Sequence, residues 1–250
     1  MKATIYAMMS TPKLLFLALF AAATLFASCE KESDTPAAEA MTDDEAVAMI
    51  EGAMALEAEG MTSEIDAAIE LTEIMMVKSP TNVNCGVEQD SSINRTFDSA
   101  RFSGSLSSTW SWLLNCTAQD VPTDLSFNRE ASVSYESLRL ISDDSSTGGW
   151  SMSNLTTGTE FVFNGNYSRT GSQESKVRNQ TSFTSQIDFV LTDLKVGKLK
   201  RRINSGTATF SLTGESSTGQ SYSITGSIVF LGDGEAEVTI NGTTYPIDLY

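Results

Sequence analysis

The last part of the chain, residues 221–249, has the sequence SYSITGSIVFLGDGEAEVTINGTTYPIDL, and this stretch decides the fold. Its apolar residues alternate with polar ones, at positions 222, 224, 228, 230, 236, 238, 240, 245, 247 and 249. A period of two predicts β-strands with one buried and one exposed face. Gly232-Asp233-Gly234 and Asn241-Gly242 separate the alternating runs, and Asn-Gly is typical of a tight hairpin turn. We therefore expect an antiparallel meander.

The same texture, rich in Ser, Thr, Gly and Asn, extends back to residue 79. Further strands are marked by Phe97, Phe102, Trp110, Trp112, Leu114, Val133, Tyr135, Leu138, Leu140, Phe161, Phe163, Phe183, Ile187, Phe189, Leu191, Ala208, Phe210 and Leu212. The parity changes between Tyr135 and Leu138, which suits a β-bulge within one long strand. About ten strands with short turns predict a mainly β domain, folded as a sandwich or curled into an open barrel.

An acidic helical segment precedes the β region. Thr42-Asp43-Asp44-Glu45 fits a capping box, in which Thr42 and Glu45 bond each other's backbone amides. Apolar residues follow at helical spacing, Gly60 interrupts them, and a second run ends before Pro80. One bent helix and two short amphipathic helices both fit this pattern, and we expect them to pack on the sheet. The methionines of this segment fit core packing better than an adaptable binding face.

The N-terminus carries an addressing signal. Lys13 is followed by the uncharged residues 14–28 and then by Cys29, which gives a basic region, an apolar region and small residues at a cleavage point. As a helix, the apolar run would be about 21 to 23 Å long, which is short of the bilayer core of about 30 Å. Ala27-Ser28-Cys29 resembles the lipobox of bacterial lipoproteins. The resemblance implies that Cys29 is the first residue of the mature chain and carries lipid such as palmitate; an ordinary cleaved signal peptide is the alternative.

The residues after Cys29 bear on localisation. Glu30-Lys31-Glu32-Ser33-Asp34 is similar to the export tract of surface-exposed lipoproteins of the Bacteroidetes type, although a solvated acidic tether explains it as well. The resemblance implies a lipid-anchored protein of the outer membrane, on its periplasmic or surface side, with the surface favoured. The chain then divides into the signal peptide 1–28, the lipidated Cys and flexible tether 29–41, the acidic helical segment 42–78 and the antiparallel β domain 79–250.

Charge and cysteine content narrow the function classes. The net charge of −16 repels nucleic-acid phosphates, so we expect no nucleic-acid partner. Histidine is absent from the sequence, which excludes Ser-His-Asp and Cys-His catalysis as well as His-ligated zinc. With Cys29 lipidated, Cys85 and Cys116 form an even pair in an exported protein, and we predict a disulfide between them. Buried free thiols are the alternative.

No catalytic motif is recognisable in the sequence, so we predict a non-enzyme without cofactors. Asp143-Asp144 and Asp233-Gly234-Glu235 offer oxygen ligands for calcium, but neither has EF-hand spacing and turns attract such residues. We therefore predict no metal site. Paired carboxylates still leave glycoside hydrolysis open, because spacing along the sequence does not give their separation in space.

Two features are candidates for ligand binding. Trp150 follows Gly148-Gly149 and could stack on a sugar, whereas Trp110 and Trp112 share a strand face with Leu114 and fit the core. Lys198, Lys200 and Arg202 would lie on one side of a strand, where they could hold lipopolysaccharide phosphates or an acidic partner. A lysine-guarded edge strand, or pairing with the acidic helix, explains the basic residues equally well.

These observations predict a membrane-anchored exported lipoprotein that acts as a non-enzymatic binding or structural module of the cell envelope. Its partners would be the membrane, through the lipid anchor, and an envelope protein, glycan or lipid. A carrier of lipid or another apolar ligand is one alternative, because a curled sheet with a helix resembles periplasmic lipoprotein carriers. A carbohydrate-binding protein or a carboxylate-dependent glycan hydrolase is the other.

Overall fold

The structure is a computed structural model that describes residues 41–78, 84–177 and 181–250. The described residues form two helices and ten strands. The helices are α1 (Asp43–Met54) and α2 (Met61–Lys78), and the strands are β1 (Gln89–Asp98), β2 (Phe102–Cys116), β3 (Pro122–Ser137), β4 (Leu140–Ser153), β5 (Glu160–Ser175), β6 (Ser182–Gly197), β7 (Ile203–Ser216), β8 (Ser221–Gly232), β9 (Glu235–Ile240) and β10 (Thr243–Asp248).

The strands make one sheet in the order of the sequence, and each strand is antiparallel to its neighbours. Short connections favour this meander because antiparallel neighbours can be joined by tight turns. The expected mainly β architecture of about ten antiparallel strands is therefore confirmed. The sheet is a single layer of strands that does not close into a barrel, since β1 and β10 are not paired.

A capping box marks the start of α1, and a break at Gly60 separates α1 from α2. The Thr42 amide donates to Glu45 Oε2 at 3.0 Å and the Glu45 amide donates to Thr42 Oγ1 at 3.3 Å, which confirms the capping box. Residues 55–60 then separate α1 from α2, so the segment forms two helices. At Gly60 a Cβ atom would overlap with the backbone of Ala53, so the connection accepts only glycine. Neither helix has the length and apolar character needed to span a bilayer.

The two helices fill one face of the sheet, which we call the inner face. Met49, Met54 and Met61 are at most 2% exposed and lie in the same cluster as the inner residues of the strands. Trp112 and Leu114 belong to that cluster, as their shared parity predicts. The largest fully buried rings come from β3, β5 and β6, so the core lies between the helices and the middle of the sheet.

One disulfide and two ion pairs of Arg101 tie the ends of the sheet to neighbouring segments. Cys85 and Cys116 form the predicted disulfide, with their Cα atoms 5.7 Å apart. Arg101, in the turn between β1 and β2, forms an ion pair with Asp248 of β10 at 3.1 Å and a second one with Glu51 of α1. The first hairpin and the last strand thus approach each other beside the helices.

One expectation about the strands is wrong. The parity change near Tyr135 is not a bulge, because β3 ends at Ser137 and β4 begins at Leu140. Residues 138 and 139 form the turn between them, and Leu138 is 78% exposed. A turn and a bulge both change whether odd or even residues face inward. The alternation of the sequence alone therefore does not separate the two.

Candidate functional site

The solvent-facing side of the first four strands carries polar side chains in register, and we call this side of the sheet the outer face. Antiparallel pairing places side chains of equal facing about 4.7 to 4.9 Å apart from strand to strand. Three rows cross β1, β2, β3 and β4 in this way. The rows are Ser92–Thr109–Glu130–Thr147, Asn94–Ser107–Ser132–Ser145 and Thr96–Ser105–Ser134–Asp143.

Three open depressions, of about 800, 330 and 680 Å³, lie side by side over these rows. The first two share Ser107 and Ser132 as lining residues, and the second and third share Thr109 and Glu130. They therefore form one continuous depression, which runs along the strand direction. We call it the outer trough.

Most side chains of the three rows have hydrogen-bonding groups that no other described residue uses. Ser134 Oγ donates to Asp143 Oδ1 at 3.0 Å, and Arg95 at the border is engaged with Glu59 at 2.6 Å. Other side chains of the rows make no side-chain hydrogen bond within the part of the chain that the structure describes. These are Ser92, Asn94, Thr96, Ser105, Ser107, Thr109, Ser132, Ser145 and Thr147. The outward positions of β1–β4 hold no lysine, arginine or aromatic residue.

The inner face also carries polar groups, but there they are buried, and its central group, Asp144 with Arg169, is paired. Arg169 Nε donates to Asp144 Oδ2 at 2.9 Å, and both residues are at most 5% exposed. Asp144 also accepts from Gln173 at 2.6 Å and from Ser142 at 2.5 Å. Arg169 Nη1 donates to the Gly52 carbonyl of α1 at 2.7 Å. This arrangement joins α1 to the middle of the sheet.

Helix α2 inserts a carboxylate into a notch of the inner face. Glu64 is fully buried and accepts from Trp150 Nε1 at 2.9 Å, and a Cβ atom at Gly148 would overlap with the Glu64 carboxylate. Burial raises the pKa of Glu64 to about 7, against the opposing attraction of Arg129 and Arg169. Within the described residues, Glu64 Oε1 and Arg129 Nη1 have no hydrogen-bond partner.

The predicted binding residues lie apart from the outer trough. Trp150 is 4% exposed and its ring belongs to the core, so the ring is not accessible for stacking on an external sugar. Lys198 Nζ donates to the carbonyls of Asn154, Leu155 and Thr157, which ties two loops together.

The expectation that the basic residues share one strand face is wrong. Lys198 and Lys200 lie in the turn between β6 and β7, and Arg202 directly precedes β7. Lys200 is 4.0 Å from Asp233, and the Arg202 guanidinium stacks on the ring of Tyr250 at 4.2 Å. This turn is hard to predict from sequence, because the residue with positive φ in it is Arg201, an uncommon residue for that conformation.

Asp143 and Asp144 point to opposite faces of β4, so they do not share one ligand. In the described ranges, no three Asp, Glu or Cys side chains come together as a metal site would require. Cys29 lies outside the described residues, and its lipidation stays a prediction.

Sequence reasoning missed both the outer trough and the buried network. The network had a signal that could have been used: Arg129, Asp144 and Arg169 occupy the inward parity of their strands, where apolar residues belong. No family model, curated protein or solved structure matches this chain.

Proposed function

We propose that this protein is an exported, lipid-anchored module of the bacterial cell envelope that binds its ligand on the outer trough without chemical turnover. The anchor is supported by the sequence up to Cys29, which resembles a lipoprotein signal. Binding on the outer trough is supported by its shape and by its free hydrogen-bonding groups. The lipid would hold the domain at the membrane, and the sheet would present the trough to the surroundings.

The observation that carries this proposal is the contrast between the two faces of the sheet. On the inner face, the helices cover the sheet and polar groups such as Asp144 and Arg169 bond each other. On the outer face, rows of hydroxyl and amide groups are open to solvent, and nine of their side chains make no side-chain hydrogen bond within the described residues. A ligand with polar groups can satisfy them without any rearrangement of the fold.

The carrier alternative would require the inner face to open. Helices α1 and α2 contribute nine buried apolar residues, from Ala46 to Ile69, to the core cluster. Removing them would expose that surface and break the bonds of Arg169 to Gly52 and of Trp150 to Glu64. Binding on the outer trough involves neither cost, so we favour it over carriage.

Labelled palmitate tests the anchor. Cells that express the full-length protein should incorporate the label into it, and the protein should fractionate with membranes. A Cys29→Ser variant should lose the label and leave the membrane fraction. Unlabelled wild-type protein, or a variant that fractionates like the wild type, would contradict the anchor.

Equilibrium dialysis tests the binding surface. The purified full-length protein is dialysed against muropeptides, polysaccharide chains and peptides prepared from bacterial envelopes, and retained molecules are identified by mass. Ser132→Trp places an indole in the middle of the outer trough, where the first two depressions meet, whereas Thr225→Trp adds the same ring to the exposed side of β8. Retention should be lost only in Ser132→Trp, with the ligand mass unchanged. Equal retention by both variants, or a converted product that depends on one carboxylate, would refute the proposal.

A further inference from the structure

The free groups of the outer trough have a particular hydrogen-bonding character. Most are hydroxyls, which both donate and accept, and Asn94 and Asn128 contribute amides that do the same. Asp90, Glu130 and Asp143 add carboxylates, which only accept. A complementary ligand must therefore offer donors and acceptors side by side.

Charge and hydrogen bonding together disfavour two classes of polymer. Polyanions offer mainly acceptors, and Asp90, Glu130 and Asp143 would repel them. Lysine and arginine side chains only donate, so a basic segment would pair with the carboxylates but would offer no side-chain acceptors to the Ser and Thr hydroxyls, whose donors would be left to water. Sugar hydroxyls donate and accept, and they suit the carboxylates as well, because a hydrogen bond to a charged acceptor is stronger than a neutral one.

The dimensions of the outer trough favour a chain over a single small molecule. From Thr96 to Asp90 the trough follows β1 for about 20 Å, at roughly 3.4 Å per residue. Four strands give it a width of about 14 Å at their usual spacing. The three depressions are open and continuous, so a chain can lie along the strands with both ends free.

We infer that the ligand of the outer trough is a neutral glycan chain, held by hydrogen bonds from the Ser, Thr and Asn rows and from Glu130 and Asp143. This inference rests on the proposed function. Because no aromatic residue faces outward from β1–β4, the chain is held without ring stacking.

Affinity measurements on the full-length protein test the inference. The probes are a soluble neutral glucan, mannan and galactan, together with an oligolysine peptide and a sulfated polysaccharide. At least one neutral chain should bind the wild type, with an affinity that changes less than twofold between low and high salt. Ser132→Trp should weaken that binding by at least tenfold, and Thr225→Trp should leave it within twofold.

The other outcomes separate the two claims. Binding of oligolysine alone, lost in Ser132→Trp, would overturn the glycan ligand and leave the outer trough as a binding surface. Failure of all three neutral chains to bind the wild type would also overturn the glycan ligand. Neutral chains that bind Ser132→Trp as well as they bind the wild type would overturn both the ligand and the surface.

Discussion

Strand β4 shows the difference between the two faces of the sheet within two consecutive residues. Asp143 points outward, where solvent reaches it, and within the described ranges its side chain bonds only Ser134. Asp144 points inward, is 5% exposed and accepts from Arg169, Gln173 and Ser142. The same side chain thus serves stability on one face and is available to a ligand on the other. What decides between these roles is the helical pair that covers the inner face.

The largest expected effect comes from removing the charge of Asp144. In Asp144→Asn the guanidinium of Arg169 stays buried without its carboxylate, which should lower the free energy of unfolding by about 3 to 5 kcal/mol. Asp143→Asn makes the same change one residue earlier and should alter it by less than about 0.5 kcal/mol. Urea unfolding with the disulfide intact measures both. Equal changes in the free energy of unfolding of the two variants would contradict the distinction between the faces.

A smaller effect of about 3 kcal/mol is expected from pH, through Glu64. Its pKa is about 7 in the folded protein and 4.5 in the unfolded chain, so the folded state keeps a proton that the unfolded state loses. The contribution to stability is therefore complete below pH 4.5, falls as the pH rises to about 7 and is constant above that. At 1.36 kcal/mol per pKa unit, the loss is about 3 kcal/mol.

Urea unfolding from pH 4.5 to 7.5 measures this loss. Glu64→Gln should remove it, because the amide does not titrate. Glu130→Gln, on the outer face, should retain it. A wild-type stability that rises over this range because of Glu64 would contradict the burial of that carboxylate.

The adjacent glycines of β4 should differ by about 1 to 3 kcal/mol. Gly148→Ala places a methyl group against the Glu64 carboxylate and the Trp150 indole, and overpacking of this kind destabilises by that amount. At Gly149 the nearest atoms, on Asn166 and Asn128, lie 3.4 and 3.5 Å from the added Cβ atom. Gly149→Ala should therefore leave stability unchanged or raise it by less than about 1 kcal/mol. Thermal unfolding compares the two variants. A larger loss of stability in Gly149→Ala than in Gly148→Ala would show that Glu64 does not occupy the space beside Gly148.

The smallest effects are expected from the tryptophan variants of the outer face. Ser132 and Thr225 are both exposed, so Ser132→Trp and Thr225→Trp should each change the free energy of unfolding by less than about 0.5 kcal/mol. Circular dichroism during urea unfolding gives this number. A large loss in Ser132→Trp would mean that the outer trough contributes to stability, and the division between the faces would not hold.

Much of the fold followed from the sequence because its physical causes are local. Alternation at period two identified the strands, Asn241-Gly242 marked a hairpin, and Thr42 with Glu45 marked the helix start. The even pair Cys85 and Cys116 formed the disulfide. These features depend on residues that are near neighbours or, for the disulfide, on the number of cysteines, and both can be read from the sequence.

The candidate sites did not follow from the sequence, because they depend on register. Ser107 and Ser132 are 25 residues apart, and only the pairing of β2 with β3 makes them neighbours on the outer face. The glycines before Trp150 make it a candidate for ligand binding in the sequence. The structure shows that Gly148 instead makes room for Glu64, a residue of a different element. Such distant pairings carry no local signature.

Retention of envelope fragments by the Ser132→Trp variant tests most directly whether the two faces have separate roles. The full-length variant and the wild type are dialysed against the same fragments, and the urea midpoint of each is measured in the same preparation. We expect the variant to lose the ligand while its midpoint equals that of the wild type. A variant that keeps the ligand with an unchanged midpoint would contradict binding on the outer trough.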